Sequence, residues 1–254
     1  MRLILVRHGQ TYSNLEHLLD TAEPGAGLTA LGEAQADALV DVLAGERLAA
    51  VVASPLLRTQ QTAAPVARAH DLPVGSHAGL REILAGELEM RGDEDAAQQY
   101  FETMSAWAAG DLERRFPLGE SGAEFFQRFD QGIAQVLSGP GALSGADGED
   151  ATALVVTHGA AMRLWVAVRA RNVPLSQMER PMANTGVIVL TGEHGSWQVE
   201  TWEGEAIGGP AMESAEKGVG GEPIRDEHGR VTNQGRRAGP GAAAKRRLRQ
   251  PDIT

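Results

Sequence analysis

The chain has 254 residues, a formal net charge of −11, 42% apolar residues and no cysteine. This apolar content is enough for a substantial core, and the lack of cysteine excludes disulfides, thiolate metal sites and cysteine nucleophiles. The acidic balance argues against a protein that binds nucleic acid over its whole surface. No apolar run approaches the roughly 20 residues that span a bilayer, and the N-terminal apolar stretch is too short for a signal peptide. We therefore expect a cytoplasmic protein without a membrane partner.

The charge is divided unevenly along the chain. Residues 1–204 carry a net charge of −13, whereas residues 205–254 carry +2 and are rich in Gly, Pro, Ala and charged residues. Apolar residues in the second segment follow neither a helical nor a strand period, so it cannot bury enough surface to offset its ordering entropy. The sequence therefore predicts one domain over 1–204 and a disordered tail over 205–254 with a basic C-terminal end.

The first 204 residues alternate short apolar runs with amphipathic stretches, which predicts a layered α/β domain with a mostly parallel sheet. Thr29 is a candidate N-cap of one helix, and Pro55 fits the first turn of another. The predicted strands are 3–6, 50–53, 153–157 and a hairpin of 185–190 with 197–202. The predicted helices are 31–43, 56–69, 94–110, 120–138 and 159 to about 171, and residues 140–150 are a Gly-rich loop.

Two of the seven histidines, His8 and His158, directly follow buried-type strands, and a glycine follows each of them. Ligands of open α/β folds bind at the carboxyl ends of parallel strands, so both imidazoles are expected to face one crevice. The alternative interpretation is that each histidine only ends a strand and satisfies a backbone group.

The neighbouring residues favour a site for an anion. Arg7 precedes His8, Asn14 follows soon after it, Arg58 lies at the start of a predicted helix, and Glu82 lies in Leu80-Arg81-Glu82-Ile83. Guanidinium groups and helix N-termini that point into a crevice bind anions, and the planar guanidinium fork suits phosphate oxygens.

Together these motifs resemble the histidine phosphatase superfamily, also called the phosphoglycerate mutase-like family. The order and spacing follow that family to about residue 200. The matching segments are Arg7-His8-Gly9-Gln10-Thr11 with Asn14, Leu28-Thr29-Ala30-Leu31-Gly32, Ser54-Pro55 to Arg58-Thr59, Leu80-Arg81-Glu82, Gly119-Glu120-Ser121 and Val155-Val156-Thr157-His158-Gly159. The resemblance implies a three-layer α/β/α sandwich with a mostly parallel central sheet, and a catalytic domain over 1–204.

The resemblance also implies a role for each site residue. His8 is the expected nucleophile that attacks phosphorus and becomes phosphohistidine. Glu82 is the expected general acid, which later acts as the base that activates water. The expected phosphate-binding residues are Arg7, Asn14, Arg58, His158 and Gly159.

The segment after Glu82 departs from the family pattern. The family often continues with an aromatic residue and Trp-Glu-Gly, whereas residues 83–90 read Ile-Leu-Ala-Gly-Glu-Leu-Glu-Met. The alternative interpretation of Glu82 is therefore a solvated surface carboxylate. In that case Glu87 and Glu89 are the alternative general acids. Two other features stay open: Asn184-Thr185 belongs either to the substrate mouth or to a strand-start turn, and Trp107 is interpreted as a core residue.

His8, His158 and Glu82 would also make a familiar metal-ligand set. Positive side chains next to these ligands oppose a cation, so we expect no metal and no other cofactor. The predicted partner is a small phosphorylated substrate, nucleic acid is not expected, and the sequence leaves open a monomer or a homodimer.

The predicted lid or insertion, residues 84–117, distinguishes phosphatase from mutase. A mutase needs extra cations there to hold a bisphosphorylated intermediate. The segment begins with several acidic residues, and its basic residues are Arg91, Arg114 and Arg115. Acidic groups repel a multiply anionic substrate, so the sequence favours a histidine acid-type phosphatase. The alternatives are a cofactor-dependent phosphoglycerate mutase and a non-enzymatic binder of phosphorylated ligands.

Overall fold

The computed structural model describes residues 1–138, 152–193 and 195–206. Its strands are β1 (Arg2–Arg7), β2 (Leu48–Ala53), β3 (Val74–Ser76), β4 (Thr152–Thr157), β5 (Val187–Thr191) and β6 (Gln198–Glu203). Its helices are α1 (Tyr12–Leu15), α2 (Ala30–Leu43), α3 (Leu57–Ala69), α4 (Glu94–Ala108), α5 (Gly122–Ser138) and α6 (Gly159–Arg169).

The strands form a single mixed sheet in the order β3-β2-β4-β1-β5-β6. The neighbours β3, β2, β4 and β1 are parallel, and β5 and β6 add two antiparallel pairings at one side. This arrangement confirms the mostly parallel sheet. Arg7 of β1 lies opposite Thr157 of β4, so the residues that follow these strands, His8 and His158, emerge side by side.

Successive side chains of β1 point to opposite faces of the sheet, and they are buried on both faces. Leu3 and Leu5 pack into an aromatic-rich core with α4, α5 and α6, while Ile4 and Val6 pack against α2 and α3. Helices on both faces make the three layers of the expected α/β/α sandwich. Trp107 is 1% exposed within the first of these cores, which agrees with its interpretation as a core residue.

Most predicted elements are present with small shifts at their ends. The Thr29 side chain accepts a hydrogen bond from the Gly32 amide and caps α2 as expected. α4 and α6 each end two residues before the predicted position, at Ala108 and Arg169. The sequence missed α1 and β3, because a single helical turn and three residues containing a glycine are too short to show a period.

Three predictions fall wholly or partly outside the described residues. They are the Gly-rich loop at 140–150, the centre of the hairpin turn at His194, and nearly all of the tail at 205–254. The last described residue, Ala206, is 5% exposed, so packing continues two residues beyond the predicted boundary. Within the described ranges, none of the helices is long and apolar enough to cross a membrane.

Candidate active site

His8 lies directly after β1, at the carboxyl end of the parallel strands. Its Nδ1 is 2.7 Å from the Gly9 carbonyl oxygen. A carbonyl only accepts hydrogen bonds, so Nδ1 carries the ring proton and Nε2 keeps a lone pair. Nε2 accepts a hydrogen bond of 3.1 Å from Nε of Arg58. The imidazole is therefore in the tautomer that a nucleophile needs, with Nε2 as the reactive atom.

His158 lies directly after β4 and is fully buried, with its ring centroid 5.3 Å from that of His8. Its Nδ1 is 3.3 Å from Nη2 of Arg58, and its Nε2 is 2.8 Å from Oγ of Ser54. A guanidinium only donates, so Nδ1 accepts and the Nε2 proton is donated to Ser54. Ser54 follows β2, the next strand of the sheet, and is not among the predicted site residues.

Arg58, the second residue of α3, connects the two histidines to the loop that carries Asp20. Its Nη2 donates to the Asp20 carbonyl oxygen at 2.7 Å, and its Nη1 is 3.5 Å from Oδ2 of Asp20. Arg7 ends β1 and donates through Nη1 to the Met182 carbonyl. Nη1 of Arg58 and Nε of Arg7 are both buried without a hydrogen-bond partner among the described residues. Buried donors of this kind are unfavourable until they are satisfied, and an anion would satisfy them.

The charges in the site follow from its burial. Burial, together with the positive charge of Arg163, lowers the pKa of Arg7 to about 10. Burial is also the main reason why the pKa values of His8 and His158 lie well below their usual value, and the charge of Arg58 adds to this effect. Both imidazoles are therefore neutral near pH 7, while both guanidinium groups remain charged.

These lowered histidine pKa values predict how stability depends on pH. Below pH 6.5, both histidines become protonated in the unfolded chain while they stay neutral in the folded chain. The free energy of unfolding therefore decreases as the pH is lowered. The slope is up to about 1.4 kcal/mol per pH unit for each histidine, from pH 6.5 down to the folded-state pKa. Urea denaturation between pH 7.5 and 5 measures this slope. His158→Gln should flatten it, and a stability that rises as pH falls below 6.5 would contradict the assignment.

Glu82 follows the short 3-10 turn Ala78–Leu80 and reaches the N-terminus of α6. Its Oε1 accepts hydrogen bonds from the amides of Ile83 at 2.9 Å and Ala161 at 2.8 Å. Its Oε2 accepts only a longer bond of 3.3 Å from the Ala160 amide. Oε2 is thus the less engaged of the two carboxylate oxygens.

A cavity at the carboxyl end of the sheet brings together Arg7, His8, Asn14, Arg58 and Glu82. These are the residues that the sequence predicted, apart from His158 and Gly159. Among the described residues, the cavity lining includes Ala160 and does not include those two. The physical reason is that the Arg58 guanidinium contacts His158 on one side and His8 on the other, so it covers His158.

Asn14 and Asn184 brace the loop that follows β1. The Asn184 side-chain amide donates to the His8 carbonyl and to Oδ1 of Asn14, each at 3.1 Å. Oδ1 of Asn14 also accepts from the Thr11 amide, so its NH₂ group is the part left to donate to a ligand. Asn184 and Thr185 are buried, which favours the strand-start turn over the substrate mouth.

Glu87 is exposed. Oε1 of Glu89 accepts hydrogen bonds from the backbone amides of Thr21 at 2.9 Å and Ala22 at 3.0 Å. Among the described residues, neither of these alternative acids lines the cavity. Searched over the same residues, the chain holds no cluster of three or more side chains suited to a metal ion.

Arg128 on α5 holds the segment that carries Glu82. Its guanidinium donates to the carbonyl oxygens of Gly79, Arg81 and Glu82 at 2.8–2.9 Å. It also forms a two-point ion pair with Glu120, with N–O distances of 2.6 and 2.7 Å. The Gly119-Glu120-Ser121 motif therefore supports the acid segment through Arg128, a contact that the sequence did not reveal.

Two curated relatives are similar to this chain over part of their length. PE-PGRS family protein PE_PGRS11 of Mycobacterium tuberculosis is 33% identical over 225 residues, which cover 83% of this chain and 38% of the relative. Adenosylcobalamin/alpha-ribazole phosphatase of Escherichia coli is 38% identical over 137 residues, which cover 54% of this chain and 66% of the relative. The chain thus spans well under half of the first relative and about two thirds of the second.

A solved structure has the same fold. The alpha-ribazole phosphatase from Shigella flexneri matches with a TM-score of 0.61 and 29% identity, over 80% of this chain and 96% of that chain. The model of the histidine phosphatase superfamily (branch 1) matches residues 3–204. The chain therefore belongs to the histidine phosphatase superfamily.

Proposed function

We propose that this protein is a phosphomonoester hydrolase that works through a phosphohistidine on His8. One observation carries the proposal: the Nε2 lone pair of a neutral His8 lies in one cavity with two buried guanidinium groups and the Glu82 carboxyl group. The similarity to proteins named as alpha-ribazole phosphatases supports hydrolysis as the reaction. A small phosphorylated substrate and a cytoplasmic location are part of the same proposal.

In the first step, Nε2 of His8 attacks phosphorus and forms the P–N bond while the P–O bond to the leaving group breaks. Protonated Glu82 donates its proton from Oε2 to the leaving oxygen, which departs as an alcohol. In the second step, Glu82 takes a proton from water, and the resulting oxygen attacks phosphorus. The P–N bond breaks, its electron pair returns to Nε2, and inorganic phosphate is released.

Arg7 and Arg58 supply the charge stabilisation. The unpartnered Nη1–H of Arg58 and Nε–H of Arg7 are donors for the phosphoryl oxygens, where negative charge is concentrated during transfer. Arg58 donates through Nε to the reactive Nε2 of His8. When a phosphoryl group enters, this donor turns to the phosphoryl oxygen and frees the lone pair. His158 holds Arg58 from behind and thereby acts as a positioning residue.

The pairing of the basic residues in the 84–117 segment favours a phosphatase over a mutase. Arg91 pairs with Asp93 at 2.6 Å, and Arg115 pairs with Glu124 at 2.8 Å. Arg114 lies 3.9 Å from Glu102. Among the described residues, none of these three arginines lines the cavity, so the segment places no cation there for a second phosphate group.

An assay with 3-phosphoglycerate separates the two activities. We expect release of inorganic phosphate to be faster than conversion to the 2-phospho isomer, measured in the same reaction by molybdate and coupled-enzyme assays. Isomer interconversion much faster than phosphate release would identify a mutase, and the absence of both, with tight binding retained, would favour the non-enzymatic binder.

Arg128 should act on catalysis through Glu82. Arg128→Gln removes donors to three carbonyl groups of the acid segment, so Glu82 loses its fixed position. We expect kcat toward alkyl phosphates to fall by about 10- to 100-fold, with a much smaller change for aryl phosphates, whose leaving groups need little protonation. Arg115→Gln, which removes an exposed arginine, is the control. An equal loss for both substrate types would indicate a purely structural role.

A further inference from the structure

The charge of the cavity wall indicates which leaving groups the site can accept. Apart from the nucleophile His8, the described lining residues with an acidic carboxyl or a guanidinium group are Arg7, Arg58, Asp20 and Glu82. The two arginines have buried unpartnered donors and are needed by the transferred phosphoryl group. The rest of the described lining is neutral, including Leu18 and Leu19. No cation of this wall is therefore left for a second anionic group.

Asp20 adds a fixed negative charge to the same wall. Its Oδ2 accepts hydrogen bonds from Oγ of Ser13 at 2.7 Å and from the Ala26 amide at 2.9 Å, and it lies 3.5 Å from Nη1 of Arg58. The side chain is 9% exposed. Its other oxygen, Oδ1, has no hydrogen-bond partner among the described residues. Asp20 thus presents a free acceptor for a hydroxyl group and repels a carboxylate or a second phosphate.

We propose that the site takes phosphomonoesters of uncharged, hydroxyl-bearing alcohols, and that Asp20 is the residue that excludes leaving groups carrying a second negative charge. This inference rests on the proposed function. It assigns Asp20 to selection of the leaving group, whereas Arg7 and Arg58 bind the phosphoryl group that all substrates share.

Glycerol 3-phosphate and 3-phosphoglycerate form a matched pair for the test, because one carries CH₂OH where the other carries a carboxylate. Their inhibition constants are measured in competition with p-nitrophenyl phosphate hydrolysis. For the unaltered protein we expect glycerol 3-phosphate to bind about 10- to 100-fold more tightly, the range expected for one like-charge contact in a partly buried site. Equal binding, or tighter binding of 3-phosphoglycerate, overturns the proposal without any variant.

Two variants then test whether Asp20 causes the preference for glycerol 3-phosphate over 3-phosphoglycerate. Asp20→Asn keeps the size of the side chain and should reduce the preference at least about fivefold, mainly through tighter binding of 3-phosphoglycerate. Glu16→Gln makes the same change in net charge at an exposed position four residues away and should leave the preference unchanged. An unchanged preference in Asp20→Asn, or an equal change in Glu16→Gln, overturns the role of Asp20.

The failure of this inference is distinguishable from the failure of the proposed function. If p-nitrophenyl phosphate is not hydrolysed, the proposed function fails, and calorimetric dissociation constants of the same two esters still decide the charge preference. If it is hydrolysed through His8 while the preference is absent, the phosphatase assignment stands and the substrate class does not.

Discussion

Replacement of His8 by alanine should abolish turnover of every phosphomonoester, with a loss in kcat of about 10³- to 10⁶-fold, the range seen when a covalent nucleophile is removed. The physical reason is that Nε2 of His8 is the atom that forms the covalent bond in the proposed mechanism. Among the described residues, no other neutral imidazole lines the cavity. Initial rates of phosphate release from p-nitrophenyl phosphate measure the effect.

The matched control for His8 is His70→Ala, because His70 directly follows α3 and, among the described residues, is not part of the cavity lining. Its rate should stay within about twofold of the unaltered protein. Rapid base quenching of the unaltered protein during turnover should also trap a base-stable, acid-labile phosphoryl group that His8→Ala cannot form. A His8→Ala protein that folds and retains comparable rates would remove His8 from the mechanism.

Replacement of Glu82 by glutamine should have the second-largest effect and should depend on the leaving group. Glutamine keeps an oxygen that can accept from the Ile83 and Ala161 amides, but it cannot donate the proton. For alkyl phosphates we expect the phosphorylation step to slow by about 10²- to 10⁴-fold. For 2,4-dinitrophenyl phosphate, whose leaving group needs no proton, the same step should be nearly unchanged.

The second chemical step gives an independent readout of Glu82. Without a base to activate water, the phosphohistidine should accumulate, so the variant should show a rapid burst of dinitrophenol followed by slow turnover. Glu89→Gln is the control, since this carboxylate is held by Thr21 outside the cavity. An equal loss for all leaving groups, with no burst, would show that Glu82 is neither the acid nor the base.

Local patterns were sufficient to predict the sheet and its histidines. The apolar runs of β1 and β4 are fully buried, and such runs have few other interpretations in an alternating α/β chain. Arg7 and His8 lie at the end of the first run, so their place in the site followed directly. The helices of both outer layers were predicted for the same reason, because each has an apolar face and most have a recognisable start.

The rest of the site depends on contacts between distant segments. Asp20 lies in an irregular loop without a period, and only the folded chain brings it to Arg58. Ser54 meets His158 because β2 and β4 are neighbours, and strand order is not encoded in any local pattern. The contact of the Arg58 guanidinium with His158 likewise depends on side-chain packing in the folded chain. Sequence reasoning therefore predicted the residues that we propose to carry the chemistry, and it missed Asp20 and Ser54, which contact them.

The central place of β1 has a consequence for synthesis of the chain. Its two neighbours in the sheet are β4 and β5, and β4 begins only at Thr152. At about 5–20 residues per second on the ribosome, the apolar strand next to His8 waits on the order of ten to thirty seconds for its first sheet partner. Until then it is an unpaired edge able to pair wrongly or to be bound by a chaperone. Appearance of the proposed activity would therefore report a late event, the closure of the sheet around β1.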